Sequence, residues 1–392
     1  MCNFKNAKII LRYFCILRVK WIFKHIGCLV CICLSFYSEG LYGQYTRAMG
    51  STEKYLREKY VPFSDTTQKK INKFFDRFNR IGNFNGSFLM FKNDSIVFGS
   101  RGNSIRSTRD SVYPEDIFQL ASVSKVFTGI SVMMLHQDGF LNINDSVHWY
   151  LPELKRTNLT IRHLLSHTSG LPDYFYYNYK GFNLRPGQGH MVNEDVLDMV
   201  NAQPDKHFAR PGFYEYCNTN YALLSLIVER TSKQDFRSFV RENVCKVADM
   251  KFTHVCNFDS IPLVNYPVQG YDNWSVFDDN MFNGTTGDKG VYSSVFEMFM
   301  LDRALRAPYL LHPETKKLMW TPSTVASADG YYALGWRVKY INGKRWVFHN
   351  GWWKGFRTYF WSCLDEDKCF VVLTNNVKGS FLRTVDMVGL LD

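Results

Sequence analysis

Beyond residue 44 the chain has no dense run of lysine or arginine, no Cys-x-x-Cys pair and no internal repeat or low-complexity tract. The first absence removes the charge footprint of a nucleic-acid-binding protein. The net charge of +11 includes a strongly basic N-terminus, where Lys5, Lys8, Arg12, Arg18, Lys20 and Lys24 face Glu39 alone. The second absence removes a zinc ribbon or a redox pair. Five cysteines lie outside that N-terminus: Cys217, Cys245, Cys256, Cys363 and Cys369. Five is an odd number, so a complete disulfide framework is not expected, although Cys363 and Cys369 flank a hairpin turn and could pair in an oxidising compartment. With 46% hydrophobic and 21% charged residues, composition excludes a disordered chain.

The N-terminal segment has an order of its own. Its basic stretch ends at Lys24-His25, the apolar run Ile26–Phe36 follows, and small residues appear around Ser38–Gly43. That is the layout of a secretory signal, with an apolar region too short for the roughly 20 residues of a bilayer span. Residues 1–43 are therefore read as a signal peptide or N-terminal anchor, which puts the protein in the periplasm or outside the cell. A linker and helix at 44–85 would lead into the main domain, residues 86–392.

Within that domain, GSFLMFKNDSIVFGS (Gly86–Ser100) reads as two strands around an Asn-Asp turn. Helical patterns and polar loops dominate from about 121 to 305. Strand patterns then return, with Asn342-Gly343 as a strong hairpin signal. The fold class expected is α/β, an α+β sandwich. One antiparallel sheet is built from both chain ends, with helices on it and a mostly helical region inserted. A site would lie in the cleft between sheet and helices.

Three elements carry chemistry. FQLASVSKVFTGI holds Ser122 and Lys125 at i and i+3, one face of a helix, inside an otherwise apolar run. Apolar surroundings lower a lysine pKa and let it act as a base toward a serine nucleophile. The pattern alone is weak, since Ser51 and Lys54 repeat it. Tyr216-x-Asn218 follows a Pro-Gly turn and precedes a helix start, which separates it from the copies at Tyr176, Tyr271 and Tyr340. His349-Asn350-Gly351 ends a strand, followed by Trp352. His163 and His167 stand at i and i+4 but lack the glutamate of a His-Glu-x-x-His site, so a structural role is preferred.

In this order the three elements resemble the serine β-lactamase and penicillin-binding protein superfamily, and its class C β-lactamase-like branch in particular. LTIRHLLSHTSGLPDY (159–174) and GDKGVYSSVFEMFML (287–301) also look like family sequence. The resemblance covers about residues 86–376. It implies Ser122 as the acylated nucleophile, Lys125 as its activating partner and Tyr216 as general base or acid. Asn218, His349, Asn350, Gly351 and Trp352 would bind substrate, with the N–H groups of Ser122 and Trp352 as an oxyanion hole. It implies a peptide or small-molecule substrate and neither metal nor cofactor. The β-lactamases of the branch have Lys-Thr-Gly or Lys-Ser-Gly at the third motif, and this chain has neither. The missing cation favours a peptidase or esterase over a β-lactamase. The non-catalytic alternative is a sensor that binds penicillin or a cell-wall fragment in the same pocket.

Overall fold

The computed structural model describes residues 51–392 apart from 83, 177–183, 185–187, 204–205, 207–208, 257–267, 278–279, 329 and 378–381. The expected signal or anchor at 1–43 lies outside the described residues. The chain divides into two units after Lys59. In the first, residues 51–59 are helical, with Glu53 and Arg57 paired one turn apart. No described helix is long and apolar enough to cross a membrane.

The second unit is organised by a nine-stranded sheet. Its strands are β1 (Val61–Pro62), β2 (Gly86–Lys92), β3 (Ser95–Arg101), β4 (Thr324–Ser327), β5 (Gly330–Tyr332), β6 (Arg337–Ile341), β7 (Lys344–Trp353), β8 (Phe356–Cys363) and β9 (Lys368–Thr374). The spatial order is β1-β3-β2-β9-β8-β7-β6-β5-β4. Early strands thus join late ones through the β2–β9 pair, antiparallel with Phe88 opposite Val372. The two expected hairpins form. Asn93 and Asp94 turn β2 into β3, and Asn342-Gly343 turns β6 into β7, all four at positive φ, as tight two-residue turns require.

Both faces of the sheet are covered, so its central strands read as continuous apolar runs rather than alternating ones. Alternate residues still go to opposite sides. Phe88 and Met90 join a core with helix α1 (Asp65–Arg80) and the C-terminal helix, through Ile71, Phe75, Met387 and Val388. The Phe75 and Phe88 rings stack at 3.8 Å. Ser64 caps α1 by accepting the Thr67 N–H. On the other side Phe91 meets Phe299 of a helix spanning Val295–Arg306, at 5.0 Å between centroids. Helix α2 (Ser124–Gln137) is buried almost all round, the pattern of a central helix.

One expectation is corrected. Cys363 and Cys369 are both buried and free. Cys363 lies opposite Lys368 and Cys369 opposite Ser362, so the two thiols occupy neighbouring register positions and point to opposite faces of the sheet. Cys363 belongs to the α1-side core, and Cys369 lies in the field of Asp302, Arg303 and Arg306 on the other side.

Candidate active site

Ser122 sits in a 3₁₀ turn, Ala121–Val123, at the entry to α2. Ala121 is at φ +50°, a conformation an L side chain adopts only where its surroundings hold it. They do so from two sides. The Leu120 N–H donates to Val291 O at 2.8 Å, and the Val291 N–H donates to Ser124 Oγ at 3.0 Å. From the sheet, Thr358 Oγ1 on β8 donates to Leu120 O at 2.7 Å.

Gly351 on β7 makes this approach possible. A Cβ there would lie 2.3 Å from Leu120 O, 2.3 Å from Thr358 Oγ1 and 2.9 Å from the Ala121 methyl. The glycine of the third motif is thus a steric requirement of the serine turn. Gly351→Ala is expected to lower stability by about 1–3 kcal/mol, the cost of overpacking, and to slow modification of Ser122. Urea unfolding and the rate of fluorophosphonate labelling check the two parts.

Lys125 is completely buried. Its Nζ faces three acceptors: Asn218 Oδ1 at 2.8 Å, Asp288 O at 2.9 Å and Ser122 Oγ at 3.3 Å. A neutral amine has two N–H bonds and one lone pair. In that form, hydrogens on the two short contacts would leave the lone pair toward Ser122. Burial pulls the Lys125 pKa down to about 8, against the field of Asp288 and Asp173, which raises it. Burial pushes the Tyr216 phenol above its ordinary range, and a hydrogen bond with Ser122 opposes that rise. Lys125 is therefore the more readily deprotonated of the two, and Tyr216 keeps its proton. The ammonium also lies 4.9 Å from the centroid of the Tyr216 ring.

Asn218 opens helix α3 (Asn218–Ser232). Its Oδ1 is committed to Lys125, while its Nδ2 and its own N–H both donate to Asp173 Oδ2, at 2.8 and 2.7 Å. In this arrangement the amide orients the lysine, and Asp173 orients the amide from the positive end of a helix.

His349 stands behind the wall. It is 1% exposed, with Nε2 3.0 Å from the Tyr332 hydroxyl and Nδ1 2.8 Å from Asn350 O. Burial pulls its pKa well below the ordinary histidine value, with Arg337 and Lys125 adding to the effect. Asn350, Gly351 and Trp352 do line the cavity that holds Ser122, Tyr216 and Asn218, a space of about 1500 Å³. Trp361 Nε1 holds the Asn350 side chain at 2.9 Å. Trp352 is 68% exposed at the mouth.

Arg337, Asp288 and Lys289, like Asp173, are charged residues of the site that no sequence motif marks. Arg337, on β6, lines the same cavity. Its guanidinium lies 5.4 Å from the Tyr216 ring centroid and 5.7 Å from that of Tyr332, among phenols. Asp288 gives its main-chain oxygen to Lys125 and its carboxylate to Tyr174 and Lys289. Lys289 is buried, hydrogen-bonded to Tyr174 and Thr285. Three ring centroids, those of Tyr174, Phe175 and Trp353, lie 5.1–5.3 Å from its ammonium. Burial brings its pKa down to about 8.

The two histidines at i and i+4 do not converge. His163 Nδ1 accepts the Thr160 N–H at 3.1 Å and completes a capping box at its own helix start. His167 is turned into the protein, against Tyr216.

A model of the Beta-lactamase family matches residues 74–388. Penicillin-binding protein 4* of Bacillus subtilis is 28% identical over 329 residues, 79% of this chain and 72% of that protein. Protein flp of Staphylococcus aureus is 25% identical over 330 residues, 80% of this chain but only 64% of its own length. Among solved structures, a penicillin-binding protein from Bacillus halodurans superposes with a TM-score of 0.70 and 26% identity, over 81% of this chain and 98% of that one. D-amino acid amidase from Ochrobactrum anthropi SV3 has a TM-score of 0.68 at 18% identity, over 80% and 97%, a likeness of fold.

Proposed function

This chain belongs to the Beta-lactamase family and is a serine hydrolase, and from that premise we propose that it cleaves a D-amino-acid-containing peptide of cell-wall type through an acyl-enzyme on Ser122. The single observation that carries the reading is the Lys125 amine, buried and held by two acceptors with its remaining position toward Ser122. Lys125 takes the Ser122 proton as Oγ bonds to the scissile carbonyl carbon. The N–H groups of Ser122 and Trp352 hold the oxyanion. As the C–N bond breaks, the Tyr216 phenol gives its proton to the leaving amine and is reprotonated from Lys125. Water then attacks the ester along the same proton route in reverse.

Arg337 supports a peptide over a simple ester. It supplies a cation at the cavity wall, where His349 is neutral, and a guanidinium binds a terminal carboxylate in a fork. The names of the similar proteins, penicillin-binding protein and D-amino acid amidase, agree with a D-residue next to the scissile bond. Penicillin is expected to acylate Ser122, with slow turnover. The basic and apolar order of residues 1–43 supports a location outside the cytoplasm.

A substrate panel tests the choice: a D-Ala-D-Ala peptide, nitrophenyl acetate and a chromogenic cephalosporin. Arg337→Gln should raise KM for the peptide roughly 10- to 100-fold, the value of a charge-assisted hydrogen bond of about 1.5–3 kcal/mol. KM for the uncharged acetate ester should not change. Equal effects on both would remove Arg337 from carboxylate recognition and leave the small ester as the better substrate class.

A further inference from the structure

His167 takes no part in the steps above, yet it is fully buried against the residue that carries the leaving-group proton. Its backbone sits at φ +57°, in the left-handed region where histidine, asparagine and aspartate are enriched. From there its carbonyl accepts the Glu215 N–H at 2.9 Å. Its ring Nδ1 accepts the Cys217 N–H at 3.1 Å. One residue therefore holds the main chain on both sides of Tyr216.

The ring is itself held in place. Nδ1 also lies 3.3 Å from Asn220 Nδ2, and the Asn220 amide is oriented by Ser169 Oγ donating to its Oδ1 at 2.6 Å. The imidazole packs 4.4 Å from the Tyr216 ring, 4.6 Å from Tyr332 and 5.0 Å from Tyr221, centroid to centroid. With Nδ1 accepting from two N–H groups, the ring proton sits on Nε2, a buried atom with no hydrogen-bond partner. An unpaired buried donor costs about 1–3 kcal/mol. Phenylalanine would fill the same space without that cost, so beyond its tolerance of the left-handed backbone what histidine adds is the acceptor. Burial also takes the His167 pKa well below the ordinary value, with Lys125, Arg337 and His349 acting in the same direction, so the acceptor is present at any working pH.

We propose that His167 is the positioning residue of Tyr216: its carbonyl and its Nδ1 fix the two flanking peptides and so aim the phenol at the leaving group. This rests on the acyl-enzyme reading of the site. It predicts a defect in acylation confined to leaving groups that need a proton at that point. A nitrophenolate leaves as an anion, whereas an alkoxide or amine must be protonated to leave.

The test compares ethyl and nitrophenyl esters of N-acetyl-D-alanine with wild type, His167→Phe and His167→Asn. His167→Phe keeps the ring and its packing and removes the acceptor. It should lower kcat/KM, which reports acylation, for the ethyl ester roughly 10- to 100-fold, part of the 10²–10⁴ a placed general acid contributes. kcat/KM for the nitrophenyl ester should stay within about threefold, because deacylation of the shared acyl-enzyme does not enter it. His167→Asn retains a carbonyl acceptor and suits the left-handed backbone, so it should recover most of the ethyl-ester rate. Should His167→Phe fail to fold, His167→Asn alone must still show a smaller loss of the same leaving-group preference. Equal losses on the two esters, or no loss on either, overturn the positioning role. Fluorophosphonate labelling separates this from failure of the underlying reading. If the wild type forms no Ser122 adduct, both fall; if the adduct forms and the leaving-group preference does not appear, only the His167 role falls.

Discussion

Ser122→Ala is expected to abolish covalent modification by fluorophosphonate and by fluorescent penicillin, and to lower kcat on the order of 10⁴-fold or more. The folded state should be nearly untouched. Ser122 Oγ makes the longest of the three Lys125 contacts, and the two shorter ones, to Asn218 and Asp288, survive its removal. The turn is anchored through Leu120 and Ser124 rather than through the Ser122 side chain. Intact-protein mass spectrometry reads the adduct, and thermal unfolding reads the fold. A full adduct on Ser122→Ala would place the nucleophile elsewhere and sink the assignment.

The second large effect is on pH. With the Lys125 pKa at about 8, only the deprotonated fraction can accept the serine proton, roughly a tenth at pH 7. The sign follows directly: kcat/KM rises with pH through about 8 and then levels, and it falls tenfold for each unit below. At pH 6 the rate should be about 100-fold under the plateau. Other groups at the site do not supply this limb. Tyr216 is raised above its ordinary range, and His167 and His349 are both held well below theirs. Lys289 is the exception, since it too is brought to about 8. Two substitutions separate the amines. Lys125→Met should remove the limb and lower the plateau on the order of 10³-fold, whereas Lys289→Met should keep a limb. A profile unchanged in Lys125→Met would overturn its role as base.

Much of this site is legible in the sequence. Ser122 and Lys125 share a helix face by spacing alone, and Gly351 follows from its motif. The hairpins at Asn93-Asp94 and Asn342-Gly343 follow from turn chemistry. The rest depends on register or depth, which no motif carries. Arg337 carries no motif, but the two-residue turn at Asn342-Gly343 sets Ile341 opposite Lys344 and hence Arg337 opposite Phe348, one residue from His349. That inference was available from the turn. Asp173 was not available in the same way, because its partner Asn218 is distant in sequence and only the helix start of α3 brings them together. The depth of His349 also depends on the layers. Strand β7 is buried on both sides at that point and runs on to Trp353, so His349 lies within the strand rather than at its end and is enclosed. The Cys363–Cys369 expectation failed for a related reason: nearness across a hairpin says nothing about face.

The β2–β9 pair has a consequence in time. It zips residues 86–92 to 368–374 at the middle of the sheet, so the central seam cannot close until residue 374 has been made. Contacts this distant in sequence are slow to form and leave strand edges bare in the meantime. During synthesis helix α2 is complete long before β7 and β8 exist to brace the Ser122 turn. The serine turn is therefore made early, and the strands that brace it arrive among the last.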